Sequence, residues 1–528
     1  MPYFVTISPT KKAYLWLLLI GCIWLIAKTL SHQSPDWDNV EELVWANSFE
    51  LGYQKHPPLP TWLLYPATLI FGKSMTLSFF IGYFCVFISA IFSYLLFKEI
   101  AARARRTLPE YAPLVAVLAS SLIIYYTIRG SDFNHNNAQL WSVSAMLFFY
   151  YKAWVAETDN RPKNAYTAWV VLGIFTGLAL LAKYSAAIQI LTLIIHFVWA
   201  KRWKNSRTWL GFLISALTAL LIFAPHLAWL IEEASKNSGP IQYALNSTTN
   251  HDSLAVNLWR IFSEFFMTQV YRTSPILISL FLIHRISKQS PPINNETSWW
   301  ANLNKEDRHF LWLTTLGPTL ITLVFGGLFN LNLEPKWAVT FYLTIGMFAW
   351  MLIGQTIDSK LFIRSILVIH LASAAGYALL TETIADAVGR TTRANYPGKE
   401  LSDHIYRHWA EHPELTQGAP LTIIAGDIWT TGNIVIHGPN LGRETQVWVN
   451  ASDIESPWLK PGEKPVLMVV ASRNKKSDYH GQHRGGESTS PEVEQLIAKA
   501  SVKGHDSIRW TSKKDGPRLE VEWAIVKP

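Results

Sequence analysis

The run YLWLLLIGCIWLIAKTL (residues 14–30), followed closely by DWDNVEELVWANSFELGYQKHPPLPTW (residues 36–62), decides how this chain is read. The first part is nearly all apolar and close to the length that crosses a bilayer. The second packs Asp36, Asp38, Glu41 and Glu42 beside Lys55, His56 and the rigid pair Pro57-Pro58. Acidic groups directly after a membrane helix are costly to hold near lipid, so their presence points to a site. The paired prolines fix the backbone and stop the charged segment from continuing as helix.

Composition agrees with a membrane protein. Half of the 528 residues are hydrophobic and 16% are charged. The chain has 24 Trp, and several stand near the ends of apolar runs: Trp16, Trp154, Trp169, Trp199, Trp209 and Trp337. This is the aromatic belt of a bilayer-spanning protein. A soluble fold would need one core larger than domains normally build. The net charge of +8 is spread over short loops, which signals orientation and excludes a nucleic-acid surface. Cys22 and Cys85 both lie in apolar runs and read as packing residues. Lys11 and Lys12 before the first run also suit a signal peptide. No small-residue cleavage site precedes Asp36, so a retained helix is expected.

Eleven segments read as spans: 14–30, 75–97, 111–128, 137–155, 166–182, 184–200, 209–230, 259–284, 309–329, 337–357 and 361–381. Arg260, Glu264 and Arg272 interrupt the eighth, whose first half reads as an interfacial helix leading into a short span. Residues 61–72 suit the membrane surface. With the N-terminus in the cytoplasm, the basic stretches fall inside. These are Lys98–Arg106, Arg161 with Lys163, Lys201–Lys204, Arg285–Arg308, and the loop near Lys360 and Arg364. Loops 31–74, 129–136, 231–258 and 330–336 then face outside with the C-terminal tail, so the acidic first loop and Asp132 share one compartment. The expected architecture is a polytopic α-helical membrane domain over 1–382 and a small external α/β domain over 383–528. Leu421–Ala425 and Val466–Val470 read as its buried strands and 494–502 as a helix. The His-containing stretch His480–Ser490 reads as a solvated loop, because its spacing fits no standard metal-ligand set.

If a short helix begins after Pro35, Asp38 and Glu41 share one face. Such a pair can take a proton from an acceptor hydroxyl or hold a divalent cation, with Asp132 as a third ligand. The plainer alternative makes Asp36 or Asp38 the N-cap of that helix. Lys55 and His56 can hold a phosphate. Asp132 sits in RGSDFNHNN, a very short link between spans, crowded by Arg129, Asn134, His135, Asn136 and Asn137; a lined cavity and a merely polar turn both fit. Lys183 interrupts GLALLAKYSAAIQIL at the external boundary, either snorkelling to the interface or binding an anionic lipid head group. Lys336, beside Trp337, divides between the same roles. Arg272 and His226, in or near loop 231–258, are further candidates.

These residues resemble a known family. The acidic start at Asp38, Trp45, GYQKHPPLPTW from Gly52, the Asp132 link, FNHNNAQLW from Phe133, GLALLAKYSA from Gly177, PHLAWLIE from Pro225 and EPKWAVTFY from Glu334 occur in the expected order. Together they resemble bacterial membrane glycosyltransferases of the GT-C superfamily, family 39 type. That group includes protein O-mannosyltransferases and the aminoarabinose transferases of lipid A. The resemblance covers roughly residues 10–380. It implies a GT-C fold, a polyprenyl-phosphate sugar donor, and a lipid, exported-glycan or protein acceptor at the external face of the bacterial inner membrane. It implies inversion at the anomeric carbon, Asp38 as catalytic base, Asp132 as a second acid, and His56 at the family's basic position before the prolines. Two departures matter. Asp38 is followed by Asn39 rather than Glu, so Glu41 is left to supply a second carboxylate. Lys55-His56 replaces the Glu-Lys of many aminoarabinose enzymes, which removes a metal site built on that Glu and argues against that donor. A histidine of ordinary pKa would carry its proton beside phosphate less surely than lysine does.

The main rival is a transporter or flippase of a lipid-linked sugar. It would show paired repeats and broken helices at midplane. A sensor or assembly protein is the third reading and leaves the acidic first loop unexplained.

Overall fold

The computed structural model describes residues 8–105, 108–159, 162–235, 239–286, 299–353, 358–459, 466–474 and 489–527. The chain first enters a helix at Pro9–Leu30. Ser8 caps it by accepting from the Lys11 amide, and Pro9 takes a position where no amide is needed. Among the described residues, seven helices are long and apolar enough to cross a membrane. They are Pro9–Leu30, Met75–Ala102, Lys163–Ala182, Ser206–Ser235, Leu254–Ile286, Lys305–Leu328 and Ser359–Ala387. Each overlaps one expected span. Their outward faces leave large side chains uncovered, with Leu221 74% and Leu328 73% exposed, which suits contact with lipid.

The other four expected spans differ. Segment 137–155 lies in a 24-residue helix, His135–Thr158, whose first turn is buried and polar. Segment 184–200 shortens to Ala186–Trp199. Segment 111–128 is helical only over Ala112–Ser120 and then winds through tight turns. Segment 337–357 divides into a 3₁₀ turn, Pro335–Thr340, and a helix, Ile345–Ile353. Hydropathy cannot separate a lipid-facing helix from apolar chain enclosed by protein, and all nine residues of Ala112–Ser120 are buried. Non-helical backbone is tolerated at membrane depth only when enclosed and satisfied. Here Ser121 Oγ donates to Leu118 O, Thr127 Oγ1 to Ile123 O, and the Gly346 amide to Ser120 Oγ. The two segments touch so closely that a Cβ on Gly346 would lie 2.1 Å from Ala116 O. Broken apolar segments, expected above of a transporter, therefore occur in this fold. They carry the chain to Asp132 and Lys336.

The eighth span is one helix of 33 residues, Leu254–Ile286, with a π-helical stretch at Ile261–Phe266. It has no separate interfacial half. Arg260 is paired with Asp252, so its charge leaves the helix intact.

The last long helix ends at Ala387, and a mixed sheet follows. Its strands are β1 (Ile423–Gly426), β2 (Gln446–Val449), β3 (Leu467–Ser472), β4 (Val502–Arg509) and β5 (Arg518–Val526), in the order β2-β1-β3-β5-β4. β1 pairs in parallel with β2 and β3, and β5 runs antiparallel to β3 and β4. The expected strands are present. The helix expected at 494–502 is Pro491–Lys499, capped by Ser490, and Val502 already opens β4. Of the stretch His480–Ser490, residues 480–488 lie outside the described residues, as do Arg161 and residues 287–298 of the Arg285–Arg308 loop. The sheet domain reaches the first loop through the helix Ile428–Ile436. Trp429 stacks on Trp37 with ring centroids 5.5 Å apart. A Cβ on Gly432 would lie 2.3 Å from Val40 Cγ1, so glycine permits the close approach.

Candidate active site

A helix does follow Pro35, spanning Trp37–Trp45. Asp36 holds the N-cap position, yet its carboxylate makes no capping bond to the helix amides. It pairs instead with Lys28 Nζ at 3.2 Å and Arg393 Nη1 at 3.2 Å. Beyond the helix, Tyr53 and His56 exchange backbone hydrogen bonds, and Trp62 Nε1 donates to Glu50 O at 2.7 Å. Gly52 lies against Trp229, where a Cβ would be 2.1 Å from the indole. The loop is thus a rigid hairpin-like support for its charged residues.

The four acids have four different surroundings. Asp38 Oδ2 accepts from Asn134 Nδ2 at 2.8 Å and lies 3.4 Å from Lys336 Nζ. Burial alone would raise Asp38, but Lys336, Arg393, His56 and the Asn134 amide hold it below the usual carboxylate range. Glu41 Oε1 pairs with Lys55 Nζ at 2.7 Å. Glu42 is buried, accepts from Thr61 Oγ1 at 2.8 Å, and burial raises it well above the usual range, with Glu41 and Asp38 adding repulsion. Asp36 is pushed up by burial and pulled down further by Lys28 and Arg393, so it stays ionised. Asp38 is also the most open of the site carboxylates, at 26% exposure against 15% for Asp36, 12% for Asp132 and 6% for Glu41.

Asp132 belongs to the Asp36 network. Its Oδ2 is 2.8 Å from Arg129 Nη2 and its Oδ1 is 3.8 Å from Lys28 Nζ. Burial and the Asp36 charge raise it to about 6, against the pull of Arg129 and Lys28. Asn134 explains how the link meets the first loop. Its Oδ1 caps the helix His135–Thr158 through the Asn136 and Asn137 amides, leaving its Nδ2 for Asp38. Asn39 is fully buried and donates to Ser131 O at 2.9 Å and Ser78 Oγ at 3.0 Å. A carboxylate could not make these donations, which gives a physical reason for the departure from Glu at this position.

The cations divide as well. Lys183 Nζ turns inward to Asn136 Oδ1 and sits 5.3 Å from the Trp337 ring centre, instead of snorkelling to the interface. Burial and the neighbouring Lys336 hold it well below the ordinary lysine value. Lys336 is raised, chiefly by Asp38. His56 packs against His135, ring centroids 3.7 Å apart and planes tilted by 32°, and meets Trp45 and Tyr243 edge-on. Burial and the charges of Lys183 and Lys55 push His56 well below the usual histidine value, which favours its neutral form before a phosphate binds. It can still donate an N–H. Arg272 contacts Tyr125, donating to its hydroxyl at 2.6 Å and lying over its ring; Tyr125 in turn donates to Pro335 O, beside Lys336. His226 bridges Leu51 O at 2.7 Å and the Tyr184 hydroxyl at 2.8 Å, a bracing role away from the cations.

Asp38, Glu41 and Asp132 do not converge as a metal-ligand set among the described residues; each is held by its own cation. Lys28, Arg393 and Tyr125 are site residues that the sequence reading did not single out. Lys28 had one signal, being the only charge between Leu15 and Leu30. Arg393 had none, lying 357 residues from its partner.

A model of the family described as dolichyl-phosphate-mannose-protein mannosyltransferase matches residues 55–229. That range contains Lys55, His56, Asp132 and Lys183. The lipopolysaccharide core galacturonosyltransferase RgtA of Rhizobium johnstonii is 22% identical over 480 residues, covering 87% of this chain and 86% of the relative. RgtB of the same organism is 25% identical over 458 residues, covering 83% and 82%. The crystal structure of ArnT from Cupriavidus metallidurans bound to undecaprenyl phosphate aligns over 98% of both chains with a TM-score of 0.58 at 13% identity. Its apo state aligns over 96% of this chain and 97% of that one, with a TM-score of 0.54 at 12% identity. The structural likeness establishes the fold. Together these findings support a membrane glycosyltransferase of the GT-C type, as the first-loop resemblance implied.

Proposed function

We propose that this chain transfers a monosaccharide from a polyprenyl-phosphate donor to an envelope acceptor at the periplasmic face of the bacterial inner membrane. One observation carries this reading: Asp38, ionised and the most open of the site carboxylates, stands beside Lys336 with Lys183 close by. A base and a phosphate cradle are the two elements that a glycosyl transfer from a lipid phosphate needs. The acceptor hydroxyl attacks the anomeric carbon as Asp38 takes its proton. The bond from that carbon to the phosphate oxygen breaks, and its electron pair leaves with the phosphate. Lys336 and Lys183 oppose the growing negative charge, and His56 donates a hydrogen bond. Attack opposite the leaving group inverts the anomeric centre. The neighbours support a lipid-linked donor, because one is a structure holding undecaprenyl phosphate. The relatives' names make lipopolysaccharide core the first acceptor to examine and galacturonic acid the first sugar.

The test compares a lipid-linked sugar with the corresponding nucleotide sugar as donor, using purified protein in detergent with no sealed compartment. Transfer from the lipid-linked sugar is expected. Transfer from the nucleotide sugar alone would overturn the donor assignment, and absence of transfer from either would favour a transporter.

A further inference from the structure

A second constellation, on the external domain, plays no part in the chemistry above. His404 and His408 stand one turn apart on the helix Gly398–Ala410 and face Asp506 on β4. His404 Nδ1 lies 3.5 Å and His408 Nε2 2.9 Å from the same oxygen, Asp506 Oδ2. Among the described residues, this is the one group of three His, Cys, Asp or Glu side chains whose ligand atoms all fall within 4.8 Å of one another. We propose that His404, His408 and Asp506 form a binding site for a zinc-class divalent cation, which ties the helix to β4.

The donor types and their spacing both support this. Zinc bonds to imidazole nitrogen and carboxylate oxygen are about 2.0–2.1 Å, so neighbouring ligand atoms of a tetrahedron lie about 3.3 Å apart. The two measured separations bracket that value. Two imidazoles select a borderline transition ion over magnesium or calcium, which favour oxygen ligands. His408 is oriented as a metal ligand is. Its other nitrogen, Nδ1, lies 3.3 Å from Glu411 Oε2, a carboxylate–histidine arrangement that fixes the ring. Trp523 stacks on the same ring with centroids 4.2 Å apart. Three protein ligands leave a fourth position for water or an anionic group. His505, next to Asp506, pairs with Glu520 instead and is not part of the set. Without an ion, the His408–Asp506 hydrogen bond would suffice to join helix and strand. That bond does not account for His404, whose Nδ1 approaches the same oxygen at a distance long for a hydrogen bond.

The experiment uses the full chain, purified in detergent without a histidine tag and stripped with EDTA. His480 and His483 are replaced by Ala in every sample to remove their ligands. Zn²⁺ is titrated by calorimetry, and thermal unfolding is followed with and without Zn²⁺. The expected result is a Zn²⁺ equivalent that is lost, or weakened about 100-fold or more, in His404→Ala and in Asp506→Asn, since losing a ligand exceeds the effect of losing an outer-shell partner. Zn²⁺ should raise the midpoint of the parent and leave that of the variants unmoved, and Mg²⁺ in excess should not compete. Zn²⁺ affinity and stoichiometry within threefold of the parent in His404→Ala would overturn the proposal, as would equal binding of Mg²⁺. Should His404→Ala fail to fold, His404→Gln keeps the size, removes the imidazole and decides the matter by the same criterion.

Discussion

Replacing Asp38 with Asn separates chemistry from architecture. The amide keeps an oxygen for the Asn134 Nδ2 bond and nearly the same shape, while losing the charge and the base. The structural penalty is small. Lys336 is 40% exposed on its side chain and 3.4 Å from Asp38, and an open ion pair of this kind contributes at most about 1 kcal/mol. The catalytic penalty is larger, since a positioned general base contributes about 10²–10⁴ in rate, or roughly 3–5 kcal/mol of barrier. Asp38→Asn should therefore lower kcat at least about 100-fold while the thermal midpoint moves little. The assay is sugar transfer from a purified polyprenyl-phosphate donor in detergent, with unfolding measured on the same sample. Lys336→Met serves as the counterpart and should raise KM for the donor more than it lowers kcat. Turnover in Asp38→Asn within threefold of wild type would remove Asp38 from the role of base. A collapse of thermal stability would show that its charge is chiefly structural.

Three further outcomes follow from the surroundings of single groups. Glu42 has its pKa raised in the fold, so it favours the folded state below the ordinary carboxylate value near 4.3 and loses that contribution as pH rises through its folded pKa. Glu42→Gln should therefore match or exceed the wild-type melting temperature at neutral pH, and a large loss there would show that an ionised Glu42 is needed. Lys183 and His56 are both held below their ordinary values, and a bound phosphate would raise them, so donor binding should take up protons and weaken as pH rises. Calorimetry of polyprenyl phosphate binding in two buffers of different ionisation enthalpy reads this directly; the uptake should shrink in Lys183→Met, and buffer-independent heats would refute it. In a background with Cys22 and Cys85 replaced by Ala, Ser452→Cys should react with an impermeant thiol reagent on intact spheroplasts, whereas labelling only after lysis would reverse the orientation.

Much of this was legible in the chain because charge beside lipid is conspicuous. Asp38, Asp132, Lys183 and Lys336 each interrupt or border an apolar run, and the fold brings them to one region. The division of labour among the first-loop acids was not legible. Asp36, Asp38, Glu41 and Glu42 lie within seven residues, and what distinguishes them is supplied from elsewhere: Arg393, Lys336, Lys55 and Thr61. The broken segments were equally hidden. An apolar composition reports exclusion from water, and both lipid and protein provide it. Only the enclosure of Ala112–Ser120 shows why its backbone is free to turn towards Asp132.

The C-terminal sheet domain meets the site through the helix that carries Asp38. Arg393 binds Asp36, Trp429 stacks on Trp37, and Gly432 lets Val40 approach to contact distance. These contacts bracket Asp38 on both sides along the chain, so the position of the carboxylate depends on the seating of the domain. The charges reinforce this. Asp36 pairs with Lys28 and Arg393 and raises Asp132, which leaves Asp38 facing Lys336 and the open side of the site. A base needs to be ionised, oriented and accessible at once. Asp36 is ionised but enclosed, Glu41 is paired and enclosed, and burial pushes Glu42 towards its neutral form. Asp38 alone meets all three conditions, and it does so because the membrane domain supplies Asn134 and Lys336 while the C-terminal sheet domain holds the helix in place.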